Sequence, residues 1–274
     1  MSAIQLILLS ALQGITEFLP VSSSGHLVLF SYFTQFPDQG LALDVAVHIG
    51  SIIAVMIYFH KTIWQIIKAL FKTNFIPSLR NEHAKTFWLL VIGTFPIMII
   101  GYILHRHGMD EFRNPHLIGW TILGYGLLLY IADKYSITIR SIKHLSILDA
   151  FLIGCAQCLA LIPGTSRSGI TITMGRFLGM ERREAAKFSM LLSIPAILAA
   201  GCLVGYELYQ QNDLISLLSS IDAIIYSFIA SIFAIYIVMW WLKKSTFTPF
   251  VIYRIILGAW LLLDSYGYLN KWLD

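Results

Sequence analysis

Charge is what this sequence has least of. Of 274 residues only 12% are Asp, Glu, Lys or Arg, against 57% hydrophobic, where soluble domains carry roughly 25% charged residues. With 19 Lys and Arg and 15 Asp and Glu, the chain cannot coat a water-soluble protein of this size. The same figures exclude a disordered chain, which needs low hydrophobicity and high charge. Cysteine is scarce too: three residues exclude a disulfide scaffold. Cys155 and Cys158 are spaced as CxxC, but no second pair accompanies them and they read as packing residues. No Lys or Arg precedes Lys61, so the basic n-region of a cleaved signal peptide is missing. The longest polar stretch, 61–85, is too short for a soluble domain. What remains is a multi-span membrane protein.

Apolar runs long enough to cross ~30 Å of hydrocarbon fall at about 41–60, 86–105, 117–132, 188–206, 221–242 and 249–264. Two further apolar regions, 3–36 and 145–178, are broken mid-way by Pro, Ser and Gly clusters: LPVSSSGH at 19–26 and IPGTSRSG at 162–169. Each half is too short to cross, so each region is expected to be a re-entrant helical hairpin with a polar turn at membrane depth. Six crossings and two returning hairpins sort the positive charges. One face carries Lys61, Lys68, Lys72, Arg80, Lys85, Lys134, Arg140, Lys143, Arg176, Arg182, Arg183, Lys187, Lys243 and Lys244, and the other only Arg106, Arg113 and Lys271. A split this strong obeys the positive-inside rule and places both termini outside the cytoplasm.

The halves resemble each other. NPHLIGWTILGYGLLL at 114–129 aligns with TPFVIYRIILGAWLLL at 248–263, and each half holds one hairpin plus three spans, an odd number. The expected fold is therefore all-α and polytopic, a single membrane domain with inverted-topology repeats. Repeat one covers about 1–144 and repeat two about 145–274. Such folds bring broken helices together near the midplane, where binding sites form.

Backbone that leaves helical geometry at membrane depth must be buried in protein or line a wet cavity. Ser, Thr and Gly ahead of a helix start aim several N–H groups at one point, so both turns read as anion sites. Ser22, Ser24, Gly25, Thr165, Ser166 and Ser168 are the expected phosphate-binding residues. Arg167, alone in an uncharged stretch from Phe151 to Gly175, is costly in a membrane and functional by expectation; its fork grips phosphate bidentately. Glu17 is the only carboxylate deep in an apolar segment, with Gln13 one turn before it. It could orient a base, hold a metal or accept from Arg167. Ser23 beside His26 suggests a nucleophile with a proton-transfer partner. Asp44 and His48 share a helix face and could extend the site.

QGITEFLPVSSSGH at 13–26 resembles the first signature of the bacterial undecaprenyl-diphosphatase, or bacitracin-resistance, family, in which an (E/Q)xxxE pair precedes PVSSxGH. PGTSRSG at 163–169 resembles the second, and DVAVHIGSIIAV at 44–55 the segment between them. The match runs in order along essentially the whole chain. Gln13 occupies the position where the family has Glu or Gln, removing one carboxylate from any two-carboxylate metal scheme. The resemblance implies hydrolysis of undecaprenyl diphosphate to undecaprenyl phosphate and inorganic phosphate, which recycles the lipid carrier of peptidoglycan and confers bacitracin resistance. It also implies a Mg²⁺ or Ca²⁺ requirement and a multi-pass protein of the bacterial inner membrane with its site open toward the outer leaflet. The expected partners are a polyprenyl diphosphate lipid and the bilayer, not nucleic acid; a homodimer is left open. On this reading Ser23 is the first choice of nucleophile, His26 moves the proton or is itself phosphorylated, and direct attack by water stays open. Glu17 orients His26 or binds metal with Gln13. The rival class is a transporter or flippase of a phosphorylated lipid or small anion, which would share the architecture but need no nucleophile.

Overall fold

The computed structural model describes residues 3–34, 40–78, 80–107, 114–210 and 221–267, and among these the chain forms eleven α-helices and no strand. Two short helices, α1 (Ala3–Phe18) and α2 (Ser23–Thr34), precede α3 (Gly40–Tyr58), α4 (His60–Lys72), α5 (Glu82–His107) and α6 (Pro115–Tyr135). A second short pair, α7 (Ile147–Cys158) and α8 (Arg167–Phe177), precedes α9 (Arg182–Gln210), α10 (Ile221–Trp241) and α11 (Thr248–Ser265). Local chemistry sets several boundaries. Asn114 caps α6 by accepting from the His116 N–H at 2.9 Å, with Pro115 in the first turn, where its missing N–H costs nothing. Ser146 and Asp149 form a capping box at the start of α7, satisfying two otherwise orphaned donors.

Five helices (α5, α6, α9, α10 and α11) are long and apolar enough to cross a membrane, and α3 with α4 forms a bent pair that passes the same test together. The chain is thus a polytopic helical membrane protein, with helices at all six expected spans. Sequence reasoning missed α4. It leaves α3 at a 79° bend and buries Ile66, Ala69 and Leu70 while Lys61, Lys68 and Lys72 stay exposed. That 3–4 residue spacing is an amphipathic stripe, hidden in the sequence by its many polar residues. The second helices of the two short pairs start inside the Pro/Ser/Gly clusters themselves, at Ser23 and Arg167.

Packing follows membrane rules, in which small residues let backbones approach where burying apolar surface gains little. Helix α1 packs on α10 and α7 on α5. A Cβ on Gly14 would sit 2.7 Å from the Ala230 Cβ, and one on Gly154 would sit 3.0 Å from the Gly93 Cα. Helix α3 meets α9, and α6 meets α11 with Gly258 against Gly119.

One end of the bundle gathers the charged loops. Asp133 accepts from Arg182 Nε at 2.7 Å and from the fully buried Arg176 Nε at 3.1 Å. Arg140 meets Asp149 at 2.5 Å, and Lys85 Nζ donates to the Lys143 carbonyl at 2.9 Å. Removing one member of a buried pair such as Arg176–Asp133 costs about 3–5 kcal/mol, so this cluster ties α5, α6, α8 and α9 together. At the opposite end His105 meets Glu207 at 2.6 Å and His116 packs edge-on against Tyr266. Of the sparse basic residues expected at that end, Arg106 follows His105; Arg113 and Lys271 lie outside the described residues.

Candidate active site

The two Pro/Ser/Gly turns adopt one geometry. Ser22 (φ +77°) and Ser166 (φ +73°) both hold left-handed backbone, which costs a non-glycine residue about 1 kcal/mol or more. Each uses its hydroxyl to cap the helix that follows: Ser22 Oγ accepts from the Gly25 N–H at 3.2 Å, and Ser166 Oγ from the Gly169 N–H at 3.0 Å. Ser24 and Ser168 stand next to these hydroxyls at 3.4 and 3.2 Å. The spacing 166 − 22 = 144 also relates buried Gln13 to buried Gln157 (157 − 13 = 144). The turns abut: Ser168 Oγ donates to the Leu19 carbonyl at 2.9 Å, and a Cβ on Gly25 would approach the Gly164 Cα to 3.3 Å. Close backbone approach thus explains Gly25, whereas a Cβ on Gly169 would crowd the Ser166 side chain at 3.0 Å and Arg254 Nη1 at 3.2 Å.

Glu17, buried at the end of α1, is where the site converges. One carboxylate oxygen accepts from Arg167 Nη2 at 2.8 Å; the other accepts from Ser23 Oγ at 2.7 Å and Gln13 Nε2 at 2.9 Å. His48 Nε2 stands 3.7 Å from the same oxygen. Arg167 also donates to the Ser189 carbonyl at 2.9 Å, which aims the guanidinium. Under the 144-residue spacing Ser23 and Arg167 are counterparts, one at the start of α2 and one at the start of α8, and both reach the same carboxylate. A cavity of about 540 Å³ opens here, lined by Glu17, Ser23, Ser24, Asp44, His48 and Arg167 together with apolar residues of α5 and α9.

Most expected residues therefore meet, but His26 takes other partners. Its Nδ1 donates to the Ser22 carbonyl at 2.6 Å, and its Nε2 lies 2.5 Å from the Tyr253 hydroxyl. Since a carbonyl can only accept, Nδ1 carries the proton, and a neutral ring accepts from Tyr253 at Nε2. The side chain that touches Ser23 Oγ is Glu17. Ser22, Gly25, Thr165, Ser166 and Ser168 build the turns behind the cavity rather than its described lining. Thr165 Oγ1 and Gln13 Oε1 are buried without a hydrogen-bond partner.

Two α11 residues were not assigned from sequence. Tyr253 carried no signal, being one aromatic among many in a span. Arg254 did: an arginine inside an apolar run is a functional or structural marker. It is fully buried and donates to the carbonyls of Ile122 (2.9 Å), Pro20 (3.2 Å), Thr165 (3.1 Å), Thr121 (3.2 Å) and Gly164 (3.0 Å). One guanidinium thus pins both turns to α6. Chemically, the arrangement offers a hydroxyl poised on a carboxylate, a guanidinium beside it, and an opening large enough for a small anionic group.

The model of a family described as bacitracin resistance protein BacA matches residues 6–260 of this chain. Undecaprenyl-diphosphatase of Roseobacter denitrificans is 46% identical over 272 residues, covering 97% of this chain and 100% of that protein. Undecaprenyl-diphosphatase of Jannaschia sp. is 44% identical over 271 residues, covering 97% and 100%. Undecaprenyl-diphosphatase 1 of Rhodospirillum rubrum is 42% identical over 274 residues, covering 97% and 96%.

Proposed function

The chain belongs to the bacitracin resistance protein BacA family, and from that membership together with the site geometry we infer that it hydrolyses undecaprenyl diphosphate to undecaprenyl phosphate and inorganic phosphate. The observation that carries the chemistry is the 2.7 Å hydrogen bond from Ser23 Oγ to Glu17, at a cavity that Arg167 also lines. A carrier that only bound and released an anion would need the guanidinium but not a hydroxyl paired with a base, so the hydrolase is favoured over a transporter.

The diphosphate enters the cavity and competes with Glu17 for Arg167. Once the guanidinium turns to the phosphate oxygens, Glu17 loses its strongest partner and becomes the better base. Ser23 Oγ then attacks the terminal phosphorus. Its O–P bond forms as the bridging P–O bond breaks; the Ser23 proton passes to Glu17 and from there to the departing undecaprenyl phosphate, which leaves Glu17 ionised again. Water next attacks the phosphoserine, giving its proton to Glu17, and inorganic phosphate leaves as Ser23 regains a proton. Phosphoryl transfer asks mainly for positioning and charge neutralisation, which Arg167 on the cavity wall supplies. His26 and Tyr253 sit behind α2 and hold the Ser22 carbonyl, and through it the turn that aims Ser23.

A divalent cation is compatible with these residues. No group of three or more His, Cys, Asp or Glu that could hold a metal occurs among the described residues. Mg²⁺, however, is usually held by one or two carboxylates plus substrate phosphates. Glu17 and the unpartnered Gln13 Oε1 offer hard oxygens for such an ion, and Ca²⁺ accepts the same donors. When bound, it would neutralise phosphate charge.

We further propose that the two halves are inverted repeats, each a re-entrant hairpin plus three spans. The packing supports this: α1 on α10 mirrors α7 on α5, while α3 on α9 and α6 on α11 map onto themselves. The end rich in Lys and Arg faces the cytoplasm of a bacterial inner membrane, with both termini on the other side. The cavity lies toward the start of α3 (Asp44) and the end of α9 (Gly205), which supports a mouth open toward the outer leaflet. Phosphate release from purified protein tests the assignment. Ser23→Ala and Glu17→Gln should each lose roughly 10²–10⁴-fold in rate, the usual worth of proton-transfer assistance, and labelled phosphate should be trapped on Ser23. Near-parental turnover of Glu17→Gln would overturn the role of the carboxylate, and of Ser23→Ala the covalent route.

A further inference from the structure

Building on the hydrolase reading, we propose that the gap between α5 and α9 is the seat of the substrate's first isoprene units, running from the phosphate site into the bilayer. A second cavity, of about 840 Å³, lies between these helices. It shares Ile97, Ala196, Ala200, Cys202 and Val204 with the wall of the catalytic cavity. The two are one trough with a chemical gradient. At one end stand Glu17, Ser23 and Arg167; beyond Ala200 the lining becomes Phe95, Met98, Leu203 and similar side chains. A diphosphate bound at the polar end leaves its tail only this apolar continuation.

The sequence keeps the trough open. On α9 the lining begins at Ala196, the residue after Pro195, and on α5 it flanks Pro96; a proline inside a helix removes a backbone bond and bends it. Gly201 and Gly205 then present no side chain, and a Cβ at either would meet nothing within 4 Å. Gly14, Gly154 and Gly258 serve close packing; these two leave room instead. The His105–Glu207 pair, 2.6 Å apart, joins α5 to α9 at the outer end, so the tail departs sideways into lipid rather than upward into water. Another apolar hollow, of about 530 Å³ and lined by Ile15, Phe233 and Trp241, shares no residue with the catalytic cavity and has no such claim.

The test uses the unaltered protein in membranes and a methylene-bridged undecaprenyl diphosphate analogue, which cannot be hydrolysed, carrying a diazirine on its second isoprene unit. Photolysis should place adducts on 95–103 and 196–206. Adducts on the α1–α10 hollow, or spread evenly around the helices as for bulk lipid, would overturn the proposal. As a second reading, Ala199→Phe and Gly101→Leu narrow the apolar stretch away from the phosphate site. The ratio of kcat/KM for undecaprenyl over dimethylallyl diphosphate should fall by about tenfold or more, since each buried methylene is worth ~0.8 kcal/mol. An unchanged ratio counts against the trough. Trough adducts without phosphate release would refute the hydrolase and uphold the tail path; phosphate release with adducts elsewhere would do the reverse.

Discussion

Replacing Arg254 by Leu should loosen both turns at once. The side chain donates five hydrogen bonds to backbone carbonyls, and those of Pro20, Gly164 and Thr165 belong to the turns, where no helical ladder offers a substitute donor. A buried acceptor stranded in a dry site costs about 1–3 kcal/mol, so three imply several kcal/mol. An offset exists: none of the ion pairs among the described residues involves Arg254, so removing the guanidinium also removes a desolvated charge. The net expectation is about 3–5 kcal/mol of lost stability, or on the order of 10 °C in melting temperature for a chain of this size. Arg254→Lys keeps the charge but gives up the planar fork that reaches several carbonyls, and should fall between. The assay is intrinsic-fluorescence melting in detergent, paired with phosphate release at a temperature where the variant is still folded. Rate should fall there too, because Ser23 and Arg167 each follow directly from a turn that Arg254 pins. An Arg254→Leu protein that melts with the parent and hydrolyses at about the parental rate would refute the reasoning.

Two further outcomes follow from the site. Gln13→Glu adds a carboxylate beside Glu17 and should lower the Mg²⁺ concentration giving half-maximal rate, because hard cations favour charged oxygen ligands; an unchanged or raised requirement in a metal titration would remove Gln13 from the cation site. Ser22→Gly should be milder than Ser22→Ala in both melting and rate. Glycine relieves the cost of φ +77° while losing the cap, whereas alanine loses the cap and keeps about 1–2 kcal/mol of strain; the reverse order would argue against the left-handed turn.

Much of the fold was legible because a bilayer imposes few solutions. All six apolar runs became helices, and both Pro/Ser/Gly interruptions became turns between helices too short to cross. Helix α4 was hidden because an amphipathic helix mixes Lys with Leu and reads along the chain as a polar stretch. At the site, Glu17, Ser23 and Arg167 were readable as polar exceptions in apolar surroundings. The Glu17–Arg167 pair was one of three alternatives open to Glu17, since the two are 150 residues apart (167 − 17) and meet only when the two turns abut, and the Ser23–Glu17 bond was not foreseen. The partnership of His26 was equally closed to sequence reasoning. Its proximity to Ser23 along the chain suggested one, but the helical rotation of α2 turns the imidazole toward Tyr253 of α11 instead.

By itself the sequence determined the solvent of this protein and the chemistry it can carry. So little charge forces a bilayer, and the few charges left at depth must be paired or functional. The tertiary structure alone decided which of those charges share a site, and in what roles. Arg167 stands against Glu17, and Arg254 staples the turns without touching the cavity. An arginine in an apolar run looks the same in either role, because its partners are backbone carbonyls and carboxylates that packing, not chain order, brings within reach.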